Sequence, residues 1–312
     1  MFGMRLQAAM AEHGPVCVGI DPHDHLLDLW GLPHTAAGVR EFSLRTVAEL
    51  GGAVAAVKPQ SAFYECYGSS GIAVLEETLA AAREAGLISV LDVKRGDIGS
   101  TMAAYARAYL SPESHLAADA ITISPYLGFG ALEPAFDLAQ THDRGVFVLA
   151  LTSNPEGREV QHAHGAEGTP GFGTSVAGSI VAQVAARNAT EAGARRSGTE
   201  DSAVTDGTAV TEGSGAVGAA AGLGRCGLVV GATIGTAAAS LGFDPSACGG
   251  PILAPGVGAQ GAGVAELVEV FGVGALTRNQ ILATTSRAVL GAGPDGVREA
   301  AKFLNDALRE VG

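Results

Sequence analysis

The chain is short of cysteine, of aromatic residues and of positive charge, and it has no long apolar run. Its four cysteines, Cys17, Cys66, Cys226 and Cys248, form no C-x-x-C pair. Scattered thiols of this kind argue against a disulfide framework and for a reducing compartment, so a cytoplasmic location is expected. Each is read as a small buried hydrophobe rather than a nucleophile. Lys plus Arg number 19 against 32 Asp plus Glu, a formal net charge of −13. Such a surface repels phosphate backbones and anionic lipid, so neither a nucleic-acid polymer nor a membrane is expected as a partner. No apolar stretch approaches the roughly 18 residues that suggest a bilayer span. The opening MFGMRLQAAMAEHGP lacks the apolar core of a signal peptide.

What the sequence does have is a rhythm of short apolar runs and longer helical patterns over 312 residues, 47% of them hydrophobic. Strands are predicted at VCVGID (16–21), AVAAVK (53–58), LISVLDV (87–93), DAITIS (119–124), GVFVLALT (145–152), GLVVGAT (227–233), PILAPG (251–256) and GVGALTR (272–278). Continuous apolar runs are how strands covered on both faces read. Between them, Ile72, Leu75, Leu79 and Ala82 repeat at helical spacing. A last helix starting near Pro294 carries Val297, Ala300, Ala301, Leu304 and Leu308 on one face. Eight strand–helix pairs predict a single (β/α)8 barrel over residues 1–312, with a doubly wound sheet as the alternative. Residues 194–223 carry little apolar bulk beyond Ala and Val and no aromatic residue. They are read as a low-complexity surface insertion before the sixth strand, on the face opposite an active site.

One stretch, LDVKRGDIGST (91–101), puts Asp92, Lys94, Arg95 and Asp97 at the mouth of an apolar strand in a chain only 16% charged. Two-residue spacing directs Asp92 and Lys94 to one face, the barrel interior. Asp21 ends the first predicted strand and Lys58 the second, so opposite charges converge from three successive strands at the catalytic end of a barrel. The plainer reading is a structural ion pair between strand ends. Late in the chain, LAPGVGAQG carries Gly256, Gly258 and Gly261. In a barrel, loops after strands seven and eight commonly grip phosphate with backbone N–H groups. Arg278, at the end of the predicted eighth strand, is the candidate for a forked phosphate contact.

DVKRGD followed by IGST resembles the signature of the orotidine 5′-phosphate decarboxylases. VKPQSAFYECYG (57–68), DAITISPYLGFGAL (119–132), VFVLALTSNPEG (146–157), VVGAT (229–233) and LAPGVGAQGAG (253–263) resemble the longer bacterial subfamily, in the same order. The resemblance implies decarboxylation of orotidine 5′-monophosphate to UMP and CO2, the last step of de novo UMP biosynthesis, without metal or cofactor. It implies an array of Lys58, Asp92, Lys94 and Asp97, with Lys94 stabilising the carbanion and protonating it. Asp97 and Thr101 would reach into the partner's site in a homodimer. Asp21 would hold ribose hydroxyls, Ser153 the pyrimidine ring, and Gln260 phosphate and base. The family's usual strand-eight motif is closer to VGR, from which ALTR departs.

Two other functions fit parts of the pattern. One is a magnesium-dependent sugar-phosphate decarboxylase or aldolase on the same barrel. The other is a non-catalytic UMP-binding protein. The H-x-H pairs His23/His25 and His162/His164 lie in polar loop sequence and are not read as a metal site. Asn188-Ala-Thr190 fits a glycosylation sequon that a cytoplasmic chain would not use. Trp30 and Phe42 are read as packing residues.

Overall fold

The apolar runs close into a barrel. The computed structural model of the chain describes residues 1–200, 222–258 and 261–310. Its strands are β1 Val16–Ile20, β2 Ala56–Pro59, β3 Ile88–Arg95, β4 Ala120–Ile123, β5 Gly145–Leu151, β6 Cys226–Val230, β7 Ile252–Pro255 and β8 Ile281–Thr285. Each pairs in parallel with the next, and β8 closes onto β1. Helices follow the strands on the outside, among them Ala36–Leu50, Gly68–Glu84, Gly99–Leu110, Val176–Glu200 and Val297–Arg309. Their buried faces and the outward strand residues form one apolar layer around the barrel.

Side-chain alternation divides the interior into two levels. The lower level is apolar: Ala56, Val90, Ala120, Phe147, Val229 and Leu282 pack together. The helix Phe2–His13 closes this end with Phe2, Leu6 and Met10. Phe2 meets Phe147 edge to face at 6.1 Å. Gly145 makes room for it, since a Cβ there would stand 2.2 Å from the Phe2 ring. Two residues further along β2, β3, β4 and β8 the level turns polar. Lys58 follows Ala56, Asp92 follows Val90, Thr122 follows Ala120 and Thr284 follows Leu282, all buried.

Two buried asparagines tie outer helices to the barrel backbone. Asn188 Nδ2 donates to the carbonyls of Cys226 and Cys248, and its Oδ1 accepts from the Cys226 N–H. Asn305 accepts from the Val16 N–H and donates to the carbonyls of His13 and Ala53. The asparagine of the sequon is thus a structural clamp. Trp30 and Phe42 pack at 4.4 Å as expected.

The eighth strand is a correction. Residues 273–277 form the second of two helical stretches within Val264–Thr277, which meet at a kink at Gly272 (φ 74°), and the strand is Ile281–Thr285. A short apolar run reads alike as buried strand or buried helix. The helix stops where Asn279 takes a left-handed φ of 50°. The N–H groups of Asn279 and Gln280 then return to the carbonyls of Leu276 and Ala275, a Schellman closure. The helix expected from Ile72, Leu75, Leu79 and Ala82 runs over Gly68–Glu84 and buries Val74, Leu75, Thr78, Leu79 and Ala82, with Ile72 only half-buried.

The segment read as an insertion narrows at both ends. The helix Val176–Glu200 runs into it, and Leu223 is buried. The rest, 201–221, lies outside the described residues. Its flanks lead into β6 from the end opposite the polar level. Excision of 201–221 with a short Gly/Ser join is expected to leave kcat within about threefold, the chemistry lying at the strands' other end. A tenfold loss in a folded variant, measured by steady-state kinetics, would refute this.

Candidate active site

At the polar end the strands surround a cavity of about 500 Å³. Asp21, Lys58, Asp92, Lys94, Ser153 and Gly256, all expected from sequence, line it. Asp92 is the hub. Its Oδ2 accepts from Lys58 Nζ at 3.1 Å, and its Oδ1 accepts from Lys94 Nζ and Thr122 Oγ1, each at 2.7 Å. Lys58 Nζ also lies 3.8 Å from Asp21 Oδ1. Acids and bases therefore alternate from β1 to β3.

Burial sets the electrostatics. Asp21, Lys58 and Asp92 are each less than a tenth exposed, whereas the Lys94 side chain is 47% exposed. Burial alone would raise the Asp92 carboxyl, but Lys58 and Lys94 outweigh it and hold the group far below the ordinary carboxylate range. Burial would likewise lower Lys58, yet Asp21 and Asp92 outweigh it and raise the ammonium above its usual value. Both groups are charged at neutral pH. Beneath them, burial pushes the Cys17 thiol up to about 12, so it stays a protonated apolar side chain.

The backbone at Lys94 is unusual. Its φ is 46°, a region that non-glycine residues enter at a cost of roughly 1–2 kcal/mol. The register against β4 breaks here: Leu91 pairs with Ile121, and the next pair is Arg95 with Ile123. Three residues of β3, from Asp92 to Lys94, thus face Thr122 alone. Lys94 reaches the cavity through this bulge rather than by simple two-residue alternation.

The phosphate-side expectations need revision. Arg278 follows the helix Val264–Thr277 and precedes β8, so it sits at the closed end of the barrel. Its carbonyl accepts from Gln7 of the capping helix. It was misplaced because the strand was. The arginine that lines the cavity is Arg287, in the turn after β8, with no ion pair among the described residues. Ser286 beside it and Asp21 at the end of the neighbouring β1 bury Oγ and Oδ1 without a hydrogen bond among the described residues. Gly256 and Gly258 have φ of 108° and 81°, and a Cβ on Gly258 would stand 2.7 Å from Ala288 Cβ. Only glycine lets that loop approach the turn carrying Arg287. Gln260 lies outside the described residues.

Asp97 and Thr101 do not line the cavity. Asp97 Oδ1 accepts from the neighbouring Ile98 N–H, and Thr101 is exposed on the first turn of Gly99–Leu110. Thr122, Arg287 and Ser286 were missed. Thr122 lies in a run read only as strand, and Ser-Arg follows a strand assigned elsewhere. His23 lines the cavity, and burial lowers its imidazole pKa, so it is neutral at pH 7. No group of three or more His, Cys, Asp or Glu side chains among the described residues could hold a metal ion.

The shifts carry a stability signature. The Asp92 contribution is present above the unfolded carboxyl value, about 3.9, and is lost as pH falls through the depressed folded value. The Lys58 contribution is complete below the unfolded lysine value, about 10.4, and is lost as pH rises through the raised folded value. Asp92→Asn is expected to cost about 3–5 kcal/mol at pH 7, because it strips a buried ammonium of a partner. It should also flatten the loss of stability below pH 4. Urea unfolding across pH checks both, and parallel acid limbs for the two proteins would contradict the assignment.

The family model described as Orotidine 5'-phosphate decarboxylase / HUMPS family matches residues 14–228. The orotidine 5'-phosphate decarboxylase of Salinispora tropica is 49% identical over 296 residues, covering 95% of this chain and 92% of that protein. That of Streptomyces coelicolor is 48% identical over 295 residues, covering 94% and 91%. The crystal structure of a provisionally assigned orotidine 5'-phosphate decarboxylase from Streptomyces avermitilis superposes with a TM-score of 0.82 at 46% identity, covering 99% of this chain and 95% of the other. Charged barrel mouth, motif order and near-full-length similarity converge: the chain belongs to the orotidine 5'-phosphate decarboxylase / HUMPS family.

Proposed function

We propose that the chain decarboxylates orotidine 5′-monophosphate to UMP and CO2 in pyrimidine biosynthesis, with Lys94 as proton donor and no metal or cofactor. The observation that carries this reading is the alternation of Asp21, Lys58, Asp92 and Lys94 in one cavity, which Arg287, without an ion pair among the described residues, also lines. The names borne by the relatives agree with it. Their shared reaction, together with the four free cysteines, supports assigning the activity to the cytoplasm. No helix among the described residues is long and apolar enough to cross a membrane.

Loss of CO2 leaves an electron pair in the plane of the pyrimidine ring, where the π system cannot spread it. Fixed charges placed before reaction stabilise such a pair best in a site shielded from water. The ammonium of Lys94 faces the carbanion and then transfers its proton to the same carbon. Asp92 flanks the departing carboxylate, and Lys58 keeps Asp92 ionised while contacting the ribose. Asp21, at the cavity wall, accepts from ribose hydroxyls. Ser153 meets the pyrimidine, and Gln260 meets phosphate and base. Arg287 takes the forked phosphate contact first given to Arg278, with the backbone of Gly256 and Gly258 beside it. The fastest accelerations known lower barriers by about 20 kcal/mol, so phosphate binding must contribute to the reacting end.

Lys94→Ala is expected to lose at least about 10³-fold in kcat, at the upper end for one preorganised group. Arg287→Ala should lower kcat/KM by roughly 10- to 150-fold, as for hydrogen bonds to a charged group. Arg278→Ala should stay within about threefold. An ultraviolet assay with and without chelator reads all three. Chelator sensitivity would favour the magnesium-dependent sugar-phosphate chemistry, and UMP binding without turnover would favour a silent binder.

Asp97 and Thr101 are assigned to the cavity of a second copy in a homodimer. Both lie outside their own cavity, flanking Ile98, which is 62% exposed. Mixing inactive Lys94→Ala with inactive Asp97→Asn is then expected to restore about a quarter of wild-type sites, as a two-fold shared site requires. Continued inactivity after subunit exchange would rule out sharing.

A further inference from the structure

We infer that Thr122 is a positioning residue for the proton donor: its hydroxyl holds Lys94 in the left-handed backbone conformation and locks the carboxylate to which the Lys94 ammonium bonds. The inference rests on Lys94 acting as proton donor.

Three observations carry it. The first is the bulge. Asp92, Val93 and Lys94 stand opposite Thr122 alone, so the Lys94 N–H has lost its regular place in the β3–β4 ladder. A backbone donor turned toward the barrel wall without a partner is a cost, up to about 1–3 kcal/mol where water cannot reach it. Here the side chain of Thr122 supplies the acceptor, with Lys94 N donating to Oγ1 at 2.9 Å.

The second is polarity. A hydroxyl donates and accepts at once. While Oγ1 accepts from Lys94, its hydrogen is given to Asp92 Oδ1 at 2.7 Å. That same Oδ1 accepts from Lys94 Nζ, also at 2.7 Å. Backbone, hydroxyl, carboxylate and ammonium therefore form a closed ring that begins and ends at Lys94. The ring fixes both ends of the lysine. Its side chain is 47% exposed and would otherwise sample many rotamers.

The third is strain. The left-handed φ of 46° has a cost that the surroundings must offset. Thr122 is 1% exposed, and its branched Cβ restricts χ1 between two packed strands. Its hydroxyl cannot swing away to water, so the offset is permanent. Valine has the same shape without either hydrogen bond, and serine has both hydrogen bonds without the methyl.

The test compares Thr122→Val and Thr122→Ser on orotidine 5′-monophosphate, with UMP affinity by calorimetry. Thr122→Val should lower kcat at least tenfold while KM and UMP affinity stay within threefold. Thr122→Ser should return kcat to within threefold of wild type. A crystal structure of the valine variant should show Lys94 outside the left-handed region. Thr122→Ala is read in the same way if the valine protein does not fold. Unchanged kcat in a folded variant would overturn the inference, as would kcat and KM moving together or serine failing to restore the rate. Neither apolar variant folding would also overturn it, making Thr122 a folding determinant instead. A wild-type chain inactive on the substrate would sink the proposed function itself, whereas an active wild type with an unaffected valine variant would sink this inference alone.

Discussion

A carboxylate that is 8% exposed has to be neutralised, and the active end of this barrel is arranged around that requirement at Asp92. Two ammonium groups and one hydroxyl meet its two oxygens. Each comes from a different place on the barrel: Lys58 from β2, Lys94 from the bulge of β3, Thr122 from β4. Neither Lys58 nor Thr122 could reach Asp92 if its strand shifted by one residue against β3, because a one-residue slip turns every side chain to the other face. The ionic array and the strand register therefore support each other.

The apolar lower level makes the array rigid. Phe147, Val90 and Leu282 fill the barrel beneath the charges, and the helix Phe2–His13 closes it from below. Water reaches Asp92 and Lys58 only from the cavity side. In that setting charges interact more strongly than in bulk water, and they need not reorganise when the charge on a substrate changes. The same burial keeps Cys17 protonated directly under the array, so a potential nucleophile is inert there.

The part of the cavity where β8 meets β1 follows a different logic. Arg287 has no carboxylate partner among the described residues, and Asp21 and Ser286 bury polar atoms without hydrogen bonds. A buried polar atom of this kind is costly unless something else meets it. Asp92 is satisfied within the protein, whereas Arg287, which lines the cavity, keeps its charge free of any ion pair among the described residues and so available to an anionic ligand. The division matches the proposed chemistry, in which remote binding energy at phosphate and ribose is used at the pyrimidine.

Much of this was legible in the amino-acid order. Seven of the eight strands fall where apolar runs predict them, and two-residue alternation directs Asp21, Lys58 and Asp92 inward, since side-chain direction along a strand is a local property. The motif spacing identifies the family for the same reason. Tertiary structure decided what local pattern leaves ambiguous. Residues 272–277 are apolar enough for either element, and only closure of the barrel gives the eighth place to Ile281–Thr285. That choice sends Arg278 to the closed end and brings Arg287 to the cavity. The bulge at Lys94 and the ring through Thr122 likewise depend on how β3 and β4 align, a contact between segments 28 residues apart. Pairing between distant segments is set by the packing of the whole barrel, which no short stretch of sequence encodes.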